Sequence, residues 1–183
     1  QTALTVSNAT NNPFALLALP VCVLHAEERP ISRVECRWAT APVAIDGHAD
    51  EPAWQSAQAV DHFYLPWLKD RARPARTATS ARLLWDREWL YFAAEMEDAD
   101  LFADVTEHDG RTWNNDVFEL FLKPAGDKPG YYEFQVNAAG TMLDMFIPRR
   151  GGGGYEAYRA DGRFHMEAKV ALDGTLNQRG DTE

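Results

Sequence analysis

Two strand-like runs, Val117–Leu122 and Tyr131–Asn137, constrain this chain more than any other feature. Strand side chains alternate between the faces of a sheet, so a period of two reads as strand. In the first run Phe118, Leu120 and Leu122 share one face and Glu119 takes the other. In the second, Tyr132, Phe134 and Val136 are expected to point inward, and Glu133, Gln135 and Asn137 outward. The short Pro- and Gly-containing connection between them predicts a hairpin with one apolar face and one face of carboxylates and amides. Trp113 stands at the mouth of the first strand, flanked by Asn114, Asn115 and Asp116. An exposed ring beside such a face suits a ligand made of rings and hydroxyl groups.

The rest of the chain follows the same pattern of short strands and turns. Thr77–Trp85 and Trp89–Met96 flank Asp86-Arg87-Glu88 and predict a second hairpin. Arg33–Trp38, Pro42–Gly47 with an Asp-Gly turn, and Thr141–Ile147 read as further strands, and Tyr155–Leu172 as one or two more. His48–Trp54 reads as a tight loop or single helical turn with Trp54 tucked under the sheet, and Asp98–Val105 as a loop. Arg149–Gly154, with four consecutive glycines, predicts a mobile loop. Many strands at roughly ten-residue spacing joined by hairpins indicate an all-β fold, an antiparallel β-sandwich. The polar run Asp173–Glu183 supplies no closing strand, and the domain is expected to continue beyond it, its C-terminal strands missing.

Composition narrows the function. At 183 residues and 45% hydrophobic content the chain fits one compact domain plus a tail. A net charge of -10 argues against nucleic acid, whose phosphates demand clustered Lys and Arg. The apolar run Phe14–Ala26 has the length of a targeting segment and is too short to span a bilayer, although residues 1–13 carry no Lys or Arg. Residues 1–30 are therefore read as targeting segment and linker, and 31–183 as the domain. The expectation is a bacterial protein that is secreted, periplasmic or at the cell surface. Cys36 would then be the one cysteine left, with no disulfide framework.

Five motifs occur in one order: Ile45-Asp46-Gly47 with Asp50-Glu51-Pro52-Ala53-Trp54; Leu84-Trp85-Asp86 with Leu90-Tyr91-Phe92; Trp113 with Asp116-Val117; Glu119-Leu120-Phe121; and Tyr132–Asn137. Together, across about residues 33–176, they resemble the family 9 carbohydrate-binding modules and their bacterial relatives. The resemblance implies a DOMON-like β-sandwich, structural calcium in several members, and a non-catalytic site that grips sugar, often at a chain end, between aromatic rings. It also implies that Trp113 is a stacking tryptophan and Glu119 a carboxylate accepting sugar hydroxyls. Gln135 stands where sugar-gripping members can hold an arginine. The region that supplies their second stacking tryptophan is expected among the missing C-terminal strands.

Stacking pairs the apolar C–H face of a pyranose with an electron-rich ring, while its edge hydroxyls need charged or amide partners. Trp113, Glu119, Glu133, Gln135 and Asn137 are the candidate ligand-binding residues for an oligosaccharide or polysaccharide. Glu119 and Glu133 also raise an alternative, glycoside hydrolysis by a carboxyl pair. Asp98, Asp100 and Asp104 offer oxygen ligands for structural calcium, with Asp109 and Asp116 further along the same connection. His25, His48, His62, His108 and His165 show no His-x-x-x-His spacing, so no zinc site is read from them. Met142, Met145 and His165 are the residues a haem-binding redox relative would use, although alternating Met in a strand is the ordinary mark of core packing. The expectation from sequence is a non-catalytic carbohydrate-binding domain of an exported glycan-degrading system, without haem.

Overall fold

The computed structural model describes residues 33–65, 68, 71, 73–151, 158 and 164–178. The expected targeting segment, the end of the glycine run and most of 155–163 lie outside them. Seven strands appear: β1 (Arg37–Trp38), β2 (Ala59–Val60), β3 (Thr79–Trp85), β4 (Leu90–Met96), β5 (Val117–Leu122), β6 (Tyr131–Asn137) and β7 (Met142–Ile147). Among the described residues the only helical pieces are short 3-10 turns, including Pro52–Ser56 and Thr112–Asn114, so the fold is all-β.

Hairpin chemistry sets the first sheet. Asp86 accepts the Glu88 and Trp89 N–H groups at 2.8 Å each and the Tyr91 hydroxyl at 2.8 Å. Those bonds hold its carboxyl below the ordinary range and fix the reversal between β3 and β4, which pair antiparallel from Thr79↔Met96 to Trp85↔Leu90. Along the other edge of β3, β2 pairs antiparallel at Arg82 and Ala81, and β1 pairs parallel at Leu84 and Trp85. The second sheet is the antiparallel meander β5-β6-β7. The stacked rings of Phe92 and Phe118, centroids 5.7 Å apart, join the sheets face to face.

The outer face of the first sheet is closed by the Pro52–Ser56 turn. Pro52 presets its first helical position, and Trp54, 5% exposed, packs on fully buried Leu84 with Tyr91 and Ala93 beside it. The tucked tryptophan is as the sequence indicates. Pro42–Gly47 is not a strand, however. Its Asp-Gly turn forms, with Gly47 at φ +98°, but the Glu51 side chain takes the Ala44 N–H at 2.6 Å and Asp46 takes the His48 N–H at 3.0 Å. Side chains thus occupy donors that a ladder would need. Residues 170–171 pass so near that a Cβ on Gly47 would lie 2.7 Å from the Ala171 nitrogen, yet no strand forms among the described residues of 164–178. The expected strand at 42–47 is corrected accordingly and that at 33–38 shrinks to β1, while of the one or two strands expected in Tyr155–Leu172 none appears among the described residues.

Trp54→Ala is expected to lower unfolding free energy by about 3–5 kcal/mol, the cost of emptying a buried aromatic site, while Trp89→Ala at the exposed hairpin stays within about 0.5 kcal/mol. Urea denaturation of the two variants beside the parent measures both.

Candidate functional site

The connection from β4 to β5 decides which side chains of the second sheet reach solvent. It is pinned at its base where the Asp116 N–H donates to the Phe102 carbonyl at 2.9 Å and the Phe102 N–H donates to Asp116 Oδ2 at 2.7 Å. Asn177 clamps it from another segment, accepting the Ala103 N–H and donating to the Ala103 carbonyl at 2.9 Å each. Between these ties the chain wraps the second sheet. At Asp109 it meets the free edge of β7: the Asp109 N–H donates to the Met142 carbonyl at 3.0 Å, and Asp109 Oδ1 accepts the Asp144 N–H at 3.2 Å. It then crosses the polar face of β6 at Thr112–Asn115.

That crossing corrects one expectation. Glu133, Gln135 and Asn137 do share a face, as their alternation requires, but the face is covered: they are 8%, 1% and 1% exposed. Asn137 Nδ2 donates to the Val105 carbonyl at 2.8 Å and to Asn115 Oδ1 at 2.9 Å, while its oxygen accepts the Thr141 N–H at 2.8 Å. The Thr112 hydroxyl donates to Gln135 Oε1 at 2.6 Å, and Gln135 Nε2 donates to Glu133 Oε1 at 2.6 Å. Amides can line a buried face because the connection returns a partner for each. Gln135 and Asn137 therefore sit beneath the surface, not on it.

Glu119 lies on the same face, directly opposite Gln135 in register and half-buried. Burial first, and the Glu133 charge second, push its carboxyl up. Burial likewise raises Glu133, against the opposing pull of its bond from Gln135. Trp113 follows Thr112 in the 3-10 turn and is 39% exposed. One ring at the surface is thus tied through its neighbour's hydroxyl and Gln135 to a row of two carboxyls.

The other candidates separate. Asp98 Oδ1 caps the Asp100 N–H at 3.0 Å, and both acidic charges act on Asp116. Asp104 instead accepts Asn115 Nδ2 at 2.7 Å. Among the described residues, the carboxylates that converge with a third ligand are Asp109 and Asp144, joined by His108, within 4.8 Å of one another. Asp144 is fully buried, and burial, then the Asp109 charge, raises its carboxyl. Sequence spacing missed this group because β7 supplies its third member. Met142 and Met145 lie on opposite faces of β7, and His165 is exposed.

Residues 45–145, more than half of the chain, match the family described as carbohydrate family 9 binding domain-like. The chain belongs to that family. All five candidate ligand-binding residues fall within the matched span. No curated protein and no solved structure matches the chain. The family 9 assignment carries carbohydrate binding with it, and domains of this kind are generally non-catalytic. No helix among the described residues is long and apolar enough to cross a membrane.

The raised Glu119 carboxyl gives this family 9 domain a signed pH dependence. A carboxyl whose folded value exceeds its unfolded one adds stability below the unfolded value, about 4.3 for glutamate, and that contribution is lost as pH rises through the folded value. Glu119→Gln is therefore expected to melt above the parent at neutral pH, with the gap closing towards pH ~4. Melting curves of both proteins across that range test it.

Proposed function

We propose that this domain binds an oligosaccharide or polysaccharide at the Trp113 face, with the ring stacking on a pyranose and Glu119 bonding to its hydroxyls while Glu133 lies beneath. The observation that carries the reading is the partly exposed Trp113 tethered through Thr112 and Gln135 to the carboxyl pair. An aromatic platform needs polar partners at a fixed offset, and a chain of 2.6 Å bonds supplies that rigidity. Gln135 orients Glu133 from below, and Asn137 holds the connection that carries the ring. The apolar run at residues 14–26 supports an exported role, beside enzymes that degrade glycans.

The raised carboxyls of Glu119, lifted by burial and then by the Glu133 charge, and of Glu133, lifted by burial, favour a second reading, acid–base hydrolysis of a glycosidic bond, because such chemistry uses a carboxyl held above its ordinary range. Release of reducing sugar that disappears in both Glu119→Gln and Glu133→Gln would establish it in place of simple binding.

Titration calorimetry against oligosaccharides with free and blocked chain ends is expected to give roughly micromolar to millimolar dissociation constants without turnover. Trp113→Ala should weaken binding at least about tenfold while changing stability by about 0.5 kcal/mol or less. A variant that binds like the parent, or one that melts far below it, refutes the platform role.

A further inference from the structure

The connection that crosses the second sheet stops short of its far end. Along β6 the outer row is 1% exposed at Asn137 and Gln135 and 8% at Glu133, and Tyr131, next in the row, is partly exposed. Phe121 stands directly opposite Glu133 on β5, two residues beyond Glu119, and at 54% is the one exposed residue of its strand. It does not belong to the interior between the sheets. Phe118, three residues earlier, points to the opposite side and stacks on Phe92 of the first sheet. The Phe121 and Tyr131 rings meet diagonally across the two strands, centroids 6.1 Å apart and planes tilted by 47°. A ring pair thus ends the row of outward side chains that begins under the Trp113 turn.

We propose that Phe121 and Tyr131 form a second aromatic platform of the carbohydrate site, so that its ligand is an uncharged glycan lying lengthwise along β5 and not a chain end held in a clamp, a placement that rests on sugar stacking at Trp113. Thr112 bonds to Gln135, which puts the Trp113 turn at the rung shared by Gln135 and Glu119. Tyr131 lies four residues further along β6, about 13 Å at a strand's rise per residue. That span exceeds a single pyranose and calls for several linked rings. Between the platforms the half-buried Glu119 carboxyl offers oxygens to the hydroxyls that pass over it.

Phenylalanine has no hydrogen-bonding side-chain group, so Phe121 offers apolar area alone, which the C–H face of a pyranose matches. Tyr131 adds a hydroxyl beside that area. Burial, then the Glu133 charge, raises this hydroxyl's pKa against the opposite pull of Arg150. With Glu119 and Glu133 in the same row, negative charge prevails, which selects against uronic acid chains and for neutral ones. A clamp closes rings on both faces of one terminal sugar. Rings set one behind the other along one sheet face leave both ends of the glycan open.

The test is titration calorimetry on the whole chain with β-1,4-linked glucose, xylose and mannose and α-1,4-linked glucose oligosaccharides of two to six units, each also as its methyl glycoside. The expected result is affinity rising at least about fivefold from two units to five, alike for free and methylated ends. Phe121→Ala should abolish that rise while leaving the two-unit ligand within about twofold of its parent affinity, whereas Trp113→Ala should weaken every length. Phe121 is more than half exposed, so its truncation is expected to leave the Tm near the parent's, and Phe121→Trp, which restores a ring, should restore the rise. Affinity independent of length, a rise that survives Phe121→Ala, or binding lost on methylation of the end overturns the second platform and leaves stacking at Trp113 standing. A parent that sediments as a dimer beside a monomeric Phe121→Ala assigns the rings to a contact between copies of this chain and overturns it too. No binding in any series overturns both platforms, Trp113 included.

Discussion

The side-chain amide of Asn137 is the point on which both the second sheet and the connection over it depend. It donates to Val105 and Asn115 on the connection and accepts from Thr141 in the turn to β7, all from a site 1% exposed. Each buried polar group left without a partner costs about 1–3 kcal/mol, so this arrangement is close to all-or-none. With Asn137 satisfied, Thr112 is delivered to Gln135 on one side and Asp109 to the edge of β7 on the other. The Thr112–Gln135 contact and the Asp109–Met142 contact both follow from that single closure.

The strands were legible because their evidence is local. Alternation in Phe118–Leu122 and Tyr132–Asn137, and the side-chain-capped turn at Asp86, are complete within a few residues. Alternation says which residues share a face and is silent on what covers it. Glu133, Gln135 and Asn137 read as an exposed face because their partners, Thr112, Asn115 and Val105, come from an irregular segment 20 or more residues away. Asp144 lies in register with Phe134, on the inward face, and is fully buried there. His108 shows no ligand spacing because its partner Asp144 lies on another strand. At Pro42–Gly47 the β-like composition was real, and competing bonds from Asp46 and Glu51 consumed the donors.

The second sheet separates two kinds of chemistry by a single strand's thickness. One face gathers Glu119 and Glu133, crossed by the turn that carries Trp113. The other carries Asp144, with Asp109 and the His108 imidazole of the connection at its edge. Period-two alternation keeps the two sets apart, and the aromatic cluster of Tyr132, Phe134 and Phe164 fills the apolar part of the second face. A residue slip in β6 would exchange the faces and destroy both.

Asp109 has one more consequence, through the backbone groups it occupies on β7. An open strand edge is a template on which another chain can pair. Here the Met142 carbonyl and the Asp144 N–H are already taken by a residue whose left-handed backbone cannot extend the ladder. At those positions the sheet offers neighbours nothing to copy. A second copy approaching this edge would find the start of β7 already bonded, which disfavours strand exchange there.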